Sequence, residues 1–227
     1  AQTLKLKGYN VEAIAVCFLW STVNPAHEQR AAELIHEVWP DVTVVLSSEV
    51  NPSNREYRRW VSAAMDASLR KLISSYANDL NGRLNDAGFV GKVGMLNAAG
   101  GVMSTNEIVN RPLYSVDSGP SMAPVAGRKY AEDDLGEQNA VVLDMGGTTF
   151  DVSCVINDEI SVSKEAIIGD EIPGISRVNV HSIGAGGGSI AWVDNGGMLR
   201  VGPRSAGSVP GPACYNRGGT LPTVTDA

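Results

Sequence analysis

Apolar residues run almost unbroken through Val11–Trp20 (VEAIAVCFLW), the pattern of a strand covered on both faces. Asn24 and Pro25 then open a helix, with Asn24 as N-cap and Pro25 at the first helical position. That helix must stop by Pro40, after about Val38. The short β-branched run Val42–Ser47 predicts a second strand. Ser53, with Glu56 three residues later, has the spacing of a capping box at the head of a long helix over 53–87. Along it Tyr57, Val61, Met65, Leu69, Leu72, Tyr76, Leu80 and Leu84 recur at steps of three and four, which predicts one apolar stripe lying on a core. Gly88 and Gly91 break the pattern, Val93–Leu96 reads as a strand, and Asn97–Gly101 as a Gly-rich turn. Alternation of this kind predicts an α/β layer.

The pattern changes near Asn139. The last 89 residues hold 15 of the 25 glycines and few helical periods. Strands are expected at Ala140–Leu143, Val152–Ile156, Ile160–Val162, Val178–His181, Ile190–Val193 and Leu199–Val201, with Asn157-Asp158 as a tight hairpin turn. Two lobes are therefore expected: residues 1–138, and residues 139–227 as the start of a Gly-rich, β-containing lobe. Both chain ends read as cut, so a fragment of a longer protein is expected.

Composition adds exclusions more than assignments. Hydrophobic residues make up 43% and charged residues 19% of 227, enough for a real core. A net charge of −7 argues against a nucleic-acid surface. No apolar run reaches the roughly 18 residues of a membrane span. Cys17, Cys154 and Cys214 are odd in number and far apart, which favours neither disulfides nor zinc and suggests a reducing cytoplasm. His27, His36 and His181 are scattered, and no G-x-S-x-G elbow or P-loop occurs.

Four segments carry candidate chemistry. In VVLDMGGTTFDVS (141–153) a strand runs into Asp144, and a second resumes at Phe150. Gly146 and Gly147 would let the backbone approach an anion and adopt positive φ, so that successive amides form a nest. Thr148 and Thr149 add hydroxyl donors. Asp144 cannot favour a bare phosphate; its expected role is to hold water around Mg²⁺, which dehydrates reluctantly. The competing reading is a plain Gly-rich hairpin. The second segment, HSIGAGGGS (181–189), places Gly184, Gly186, Gly187 and Gly188 in one turn, either a second wall of a nucleotide site or a bare glycine loop. The third, DSGPSMAPVAG (117–127), offers Ser118 and Gly119 at a helix N-terminus, which attracts anions, with Gly127 as a possible stop; simple capping serves equally. The fourth, VGPRSAGSVPGPACY (201–215), is a rigid irregular loop in which Arg204 could reach an anion.

With PTVTDA at 222–227, these strings closely resemble the hydantoinase A / 5-oxoprolinase / acetone carboxylase β-subunit family, in the family's order and over roughly residues 9–227. The resemblance implies an actin-like ATPase (ribonuclease H-like) fold, present as parts of two lobes with mixed sheets and covering helices. In it Asp144–Thr149 matches the second of two Asp-Gly turns that grip ATP. The first such turn is absent from this sequence, so the piece alone should be inactive.

The resemblance also implies an enzyme that uses ATP and Mg²⁺ to phosphorylate a carbonyl or enolate oxygen of a small carbonyl or amide substrate. Hydrolysis or carboxylation follows, usually with a hydantoinase B-type partner subunit or domain. A hydrolase of hydantoin, oxoproline or lactam rings and a carboxylating ligase acting on ketones both remain open; Arg204, where an acidic residue often stands, is nearer the carboxylases. Two other readings stand beside these. One is a non-catalytic actin-like scaffold in a multi-subunit complex. The other is a sugar or acetate kinase of the same fold.

Overall fold

The computed structural model describes residues 2–227. The first part of the chain contributes α1 (Gln2–Gly8), β1 (Ala13–Val16), α2 (Ala26–Val38), β2 (Thr43–Leu46), α3 (Ser47–Val50), α4 (Glu56–Asp86), β3 (Gly94–Leu96), β4 (Val102–Ser104) and α5 (Thr105–Asn110). There follow α6 (Ser118–Tyr130), β5 (Ala140–Met145), β6 (Phe150–Ile156), β7 (Glu159–Ile160), β8 (Val162–Ser163), β9 (Arg177–Val178), β10 (His181–Ile183), β11 (Ser189–Val193) and β12 (Leu199–Ser205). The chain divides into two compact units. One runs to Ser118 and takes in Val162–Val178; the other comprises Gly119–Ser161 and Asn179–Ala227. The compositional change near residue 139 lies inside the second unit, between α6 and β5.

In the first unit β1 and β2 pair in parallel, Ala13 opposite Thr43 through Val16 opposite Leu46, with α2 as the crossover. Alternate residues serve opposite faces. Ile14, Val16 and Leu46 pack with Ala31, Ala32 and Ile35 of α2, while Ala13, Ala15 and Val45 pack with Ala63 and Ala67 of α4. The continuous apolar run thus reflects two covered faces, and fully burying a side chain such as Val45 contributes about 1.5–3 kcal/mol.

The long helix keeps its expected face only in part, with Met65 and Leu69 of the stripe packed against the core, and it departs from its expected cap. Tyr57, Leu72 and Tyr76 are exposed, and the buried residues are Arg59, Ser62, Ala63, Asp66, Ala67 and Ala77. Small residues let α4 approach the strands closely, and the buried charges are satisfied by partners. Arg59 donates to Ser47 Oγ (3.2 Å), the Ser53 carbonyl (2.8 Å) and the Phe18 carbonyl (2.9 Å). Asp66 accepts from Arg70 Nε at 2.8 Å and the Leu113 amide at 3.2 Å; burial outweighs these bonds and raises its carboxyl above the ordinary value. No capping box forms at Ser53, because α4 starts at Glu56 with Arg55 as its N-cap. The box forms instead at Ser104 and Glu107, heading α5.

A second buried carboxylate, Glu28 of α2, fixes the loop after β1. It accepts from the Phe18 amide (2.8 Å), Ser47 Oγ (2.6 Å), and the Ser48 amide (3.0 Å) and Oγ (2.7 Å). Burial alone would raise its carboxyl; these hydrogen bonds override burial and hold it below the ordinary range. Neighbouring Cys17 is pushed up to about 11, by burial first and then by the Glu28 charge.

The second unit is built on an antiparallel sheet in the order β10-β6-β5, with β7 also paired to β6 through the Asn157-Asp158 turn. Both turn residues have positive φ, 53° and 63°, as a two-residue hairpin requires. A Cβ on Gly127 would lie 2.3 Å from Val142 Cγ2, so α6 reaches β5 at that glycine. Gly127 does not stop the helix: α6 runs to Tyr130, a π turn follows to Leu135, and Gly136 ends it at φ 66°. β11 and β12 form a separate antiparallel pair. Among the described residues no helix is long and apolar enough to cross a membrane.

Candidate functional site

The β5–β6 hairpin presents its turn at Gly146–Thr149, closed by the Gly146 amide donating to the Thr149 carbonyl at 2.9 Å. The turn is held from one side only. Its carbonyls at Gly146, Gly147 and Thr148 accept from the amides of Gly187 (2.9 Å), Gly188 (2.6 Å) and Gly186 (3.2 Å). The amides of Gly147, Thr148 and Thr149 donate to no acceptor among the described residues. Gly147 and Thr148 are exposed and Thr149 is half-buried, so water can satisfy the free donors at the exposed pair.

Steric environments separate the glycines into two classes. A Cβ on Gly186 would stand 2.6 Å from the Thr148 backbone, and one on Gly188 would stand 2.9 Å from the Gly147 carbonyl oxygen. One on Gly187 would meet Thr225 Oγ1 at 2.8 Å. Gly186 and Gly188 are glycine because two backbones meet there, and Gly187 because the Thr225 hydroxyl closes on it. Gly147 differs: a Cβ there has nothing within 4 Å. Neither Gly146 nor Gly147 has positive φ, so the expected left-handed nest is not the geometry of this turn. The protein's own packing gives no reason for a glycine at 147.

The Gly-rich loop is braced in turn. The Thr225 amide and Oγ1 both donate to the Gly187 carbonyl, at 2.9 and 2.8 Å. Next to it, Asp226 accepts from the amides of Cys214 (2.7 Å), Thr223 (2.8 Å) and Ala213 (3.2 Å) and from Thr223 Oγ1 (2.8 Å). Those bonds, the Cys214 amide first, hold its carboxyl well below the usual range. Gly184 sits against Gly202, whose Cβ would meet the Gly184 carbonyl oxygen at 2.2 Å.

Asp144 is the penultimate residue of β5, exposed, directly across the hairpin from Asp151. Asp151 is buried and accepts from Thr149 Oγ1 at 3.2 Å. Ser118 and Gly119 open α6, where the two units divide; the turn's hydrogen bonds go to Gly186–Gly188 and Asp151. Arg204 is exposed and lines a cavity of about 200 Å³ with Ile190, Ser205, Pro210, Gly211 and Leu221. Among the described residues no three His, Cys, Asp or Glu side chains gather as a metal cluster. Any metal at the turn would therefore be held by fewer protein ligands, as Mg²⁺ commonly is beside phosphates. Sequence reasoning missed Asp151, Thr225 and Asp226. Their signal was position: the first is opposite Asp144 in a hairpin register, and the others lie in the PTVTDA string.

Comparison with known proteins gives a consistent picture. The hydantoinase/oxoprolinase profile matches residues 59–227, and the hydantoinase/oxoprolinase N-terminal region matches residues 1–39. The chain is 39% identical to caprolactamase subunit alpha of Pseudomonas jessenii over 217 residues, 96% of this chain and 31% of that protein. It is 40% identical to the acetophenone carboxylase gamma subunit of Aromatoleum aromaticum, covering 95% of this chain and 30% of that one. The crystal structure of the ATP-dependent caprolactamase from P. jessenii matches with TM-score 0.77 and 37% identity over 97% of this chain and 32% of that one. The nucleotide-free structure of acetone carboxylase also matches with TM-score 0.77, at 25% identity over 99% of this chain and 32% of that one. The chain thus spans about a third of the length of these relatives.

Proposed function

Since the chain belongs to the hydantoinase/oxoprolinase family and carries part of an actin-like ATPase fold, we propose that its Asp144–Thr149 turn holds the phosphates of ATP in an enzyme that activates a small carbonyl or amide substrate. The observation that carries this reading is the one-sided bonding of the turn. Its carbonyls are spent on the Gly-rich loop, while three successive amides remain unspent beside an open Gly147. A phosphate oxygen suits such donors, and hydrogen bonds to a charged acceptor are about twice as strong as neutral ones.

ATP, when bound, supplies the γ-phosphoryl group, and Mg²⁺ neutralises charge on it. The chain's part is positioning. Gly147, Thr148 and Thr149 offer amides, and Thr148 adds a hydroxyl. Gly146 closes the turn, and Gly186, Gly187 and Gly188 hold it at a fixed height, with Gly184 anchoring that loop. Asp144 would hold water around a bound Mg²⁺. Ser118 and Gly119 open α6, and a helix N-terminus offers amide donors to an anion. The substrate oxygen that receives the phosphoryl group belongs to a hydantoin, oxoproline, lactam or ketone, and a hydantoinase B-type partner completes the hydrolysis or carboxylation. Three unpaired cysteines suit a cytoplasmic location.

The test uses the full-length protein with Asp144→Ala. ATP turnover on a panel of hydantoins, oxoproline, lactams and ketones with bicarbonate is expected to fall by about a hundredfold or more, the scale of losing an electrostatic group at a phosphoryl-transfer site. Turnover equal to the parent's would overturn the assignment.

A further inference from the structure

The loop that leaves the carboxyl end of β1 holds a tryptophan in a conformation that tryptophan disfavours. Trp20 has φ 57°, in the left-handed region that outside glycine belongs mainly to Asn and Asp. Such backbone persists only where its surroundings over-determine it. Here they do. Glu28 and Arg59, both fully buried, take the two polar groups of Phe18: the carboxylate accepts from its amide at 2.8 Å, and the guanidinium donates to its carbonyl at 2.9 Å. The Trp20 carbonyl accepts from the amides of Val23 (3.0 Å) and Asn24 (3.1 Å). Ser21 turns inward, its Oγ 3.4 Å from Ser47 Oγ. The side chains between these anchors go the other way: Leu19, Trp20 and Val23 are 65%, 70% and 75% exposed. Over residues 17–25 no side chain carries a charge. The strands β1 and β2 are parallel, and open α/β sheets bind their ligands outside the carboxyl ends of such strands. Glu28 also accepts from Ser47 and Ser48 just beyond β2, so one carboxylate fixes this loop to both strand ends.

From this geometry we propose that Leu19, Trp20 and Val23 form an apolar platform for the non-reacting body of the substrate, and that Trp20 selects an uncharged, ring-bearing carbonyl or amide compound. The inference rests on the reading of the chain as part of an ATP-dependent enzyme that activates a carbonyl or amide, and it narrows that substrate. An indole face attracts a flat ring by offset stacking, beyond the area the contact buries. A surface that only had to be covered could be apolar on relaxed backbone. A tryptophan fixed in a left-handed conformation by two buried charges is presented in one orientation, as ring-on-ring contact requires. The lack of charge on the loop sets the complementary limit. A carboxylate on the substrate would lose water there and gain no counter-charge, which disfavours it.

The experiment uses the full-length protein and two pairs of compounds, each pair sharing a reacting group: an aryl methyl ketone against acetone, both with bicarbonate, and a plain lactam against oxoproline. ATP turnover at rising concentration of each gives kcat and KM. In the pair the enzyme accepts, the parent is expected to prefer the aryl ketone or the plain lactam. Trp20→Asn removes the ring and suits the left-handed backbone. It is expected to shrink that preference by about tenfold, through KM rather than kcat, while urea unfolding finds it as stable as the parent or more so. Trp20→Phe keeps a ring and should keep most of the preference. An unchanged preference in Trp20→Asn, a parent that prefers the other member, or turnover with a hydantoin alone refutes the platform and leaves the ATP-dependent reading standing. Equal weakening of both members, with loss of a partner subunit on gel filtration, also refutes it and marks the face as a protein interface. No turnover by the parent with any of the five compounds refutes both readings. Trp20→Gly, which adopts this φ freely, repeats the measurement with the same expected and refuting results where the asparagine variant does not fold.

Discussion

Gly147→Ala and Gly186→Ala each add one methyl group to the same assembly, with opposite expected consequences for stability. At Gly186 the new Cβ would lie 2.6 Å from two backbone atoms of Thr148 and 2.7 Å from the Gly146 carbonyl oxygen. Backbone cannot rotate away as a side chain can, so the loop or the turn must shift; forced overpacking of this kind costs about 1–3 kcal/mol. At Gly147 the Cβ meets nothing within 4 Å, and φ is not positive. Alanine there restricts the unfolded chain without straining the folded one, which is worth about 0.4–1 kcal/mol of added stability. Nucleotide affinity should respond differently. The methyl group crowds the approach of an anion to the turn's free amides, and losing one charge-assisted hydrogen bond of about 1.5–3 kcal/mol weakens binding by about tenfold to a hundredfold. The assay is urea unfolding of both variants in the full-length protein, paired with ATP titration by calorimetry. The expected pattern is a Gly147→Ala protein that is as stable as the parent or more so, yet poor at binding ATP. Gly186→Ala should be both less stable and weaker in binding. A Gly147→Ala protein with the parent's ATP affinity would show that the open side of the turn is not where phosphate sits, and would refute the reasoning.

Other outcomes follow from the first unit. Glu28 is held below the ordinary carboxylate range, so its contribution to stability is complete above the unfolded value of about 4.3 and is lost as pH falls through its lower folded value. Glu28→Gln should flatten the acid limb of a stability–pH curve, and an unchanged limb would count against the network. Glu28→Ala should cost at least about 2 kcal/mol in urea unfolding, since it leaves the Phe18 and Ser48 donors unmatched. Cys17, at about 11, leaves only about one thiol in a thousand ionised at pH 8, so mass spectrometry should find iodoacetamide labelling there hundreds of times slower than at a free thiol. Ser104→Ala removes the capping box of α5 and should lower stability by about 1 kcal/mol, seen as a shift in the urea midpoint without a change in slope.

What could be read from the chain depended on whether local pattern or remote contact decided a residue's place. The β1 and β2 strands were legible because both faces are buried and an unbroken apolar run permits little else. The Asn157-Asp158 hairpin was legible because positive φ at both positions selects those residue types. The turn after Asp144 was legible as a strand end flanked by glycines. The face of α4 was legible only in part. Periodicity pointed to the large apolar residues, of which Met65 and Leu69 do pack against the core, whereas close contact with the strands selected Ala63 and Ala67, and Arg59 and Asp66 are buried with Ser47, Phe18, Ser53, Arg70 and Leu113 as their partners. The cap at Ser53 failed for a related reason: its carbonyl is taken by Arg59, and the helix begins later, at Glu56. In the Gly-rich loop the composition announced a close approach without saying to what. Only the folded structure shows that the neighbour of Gly186 and Gly188 is another backbone, and that of Gly187 the Thr225 side chain.

Thr225 has a consequence out of proportion to its size. It grips the Gly187 carbonyl with both its amide and its hydroxyl, and the Gly187 amide in turn grips the Gly146 carbonyl. Two consecutive peptide links therefore connect the far end of the sequence to the turn, like a tie-rod. Thr225→Val would cut one strand of that rod and leave the other, loosening the turn without touching anything it holds. Such a lesion would look, in any binding assay, like damage to a residue it never meets.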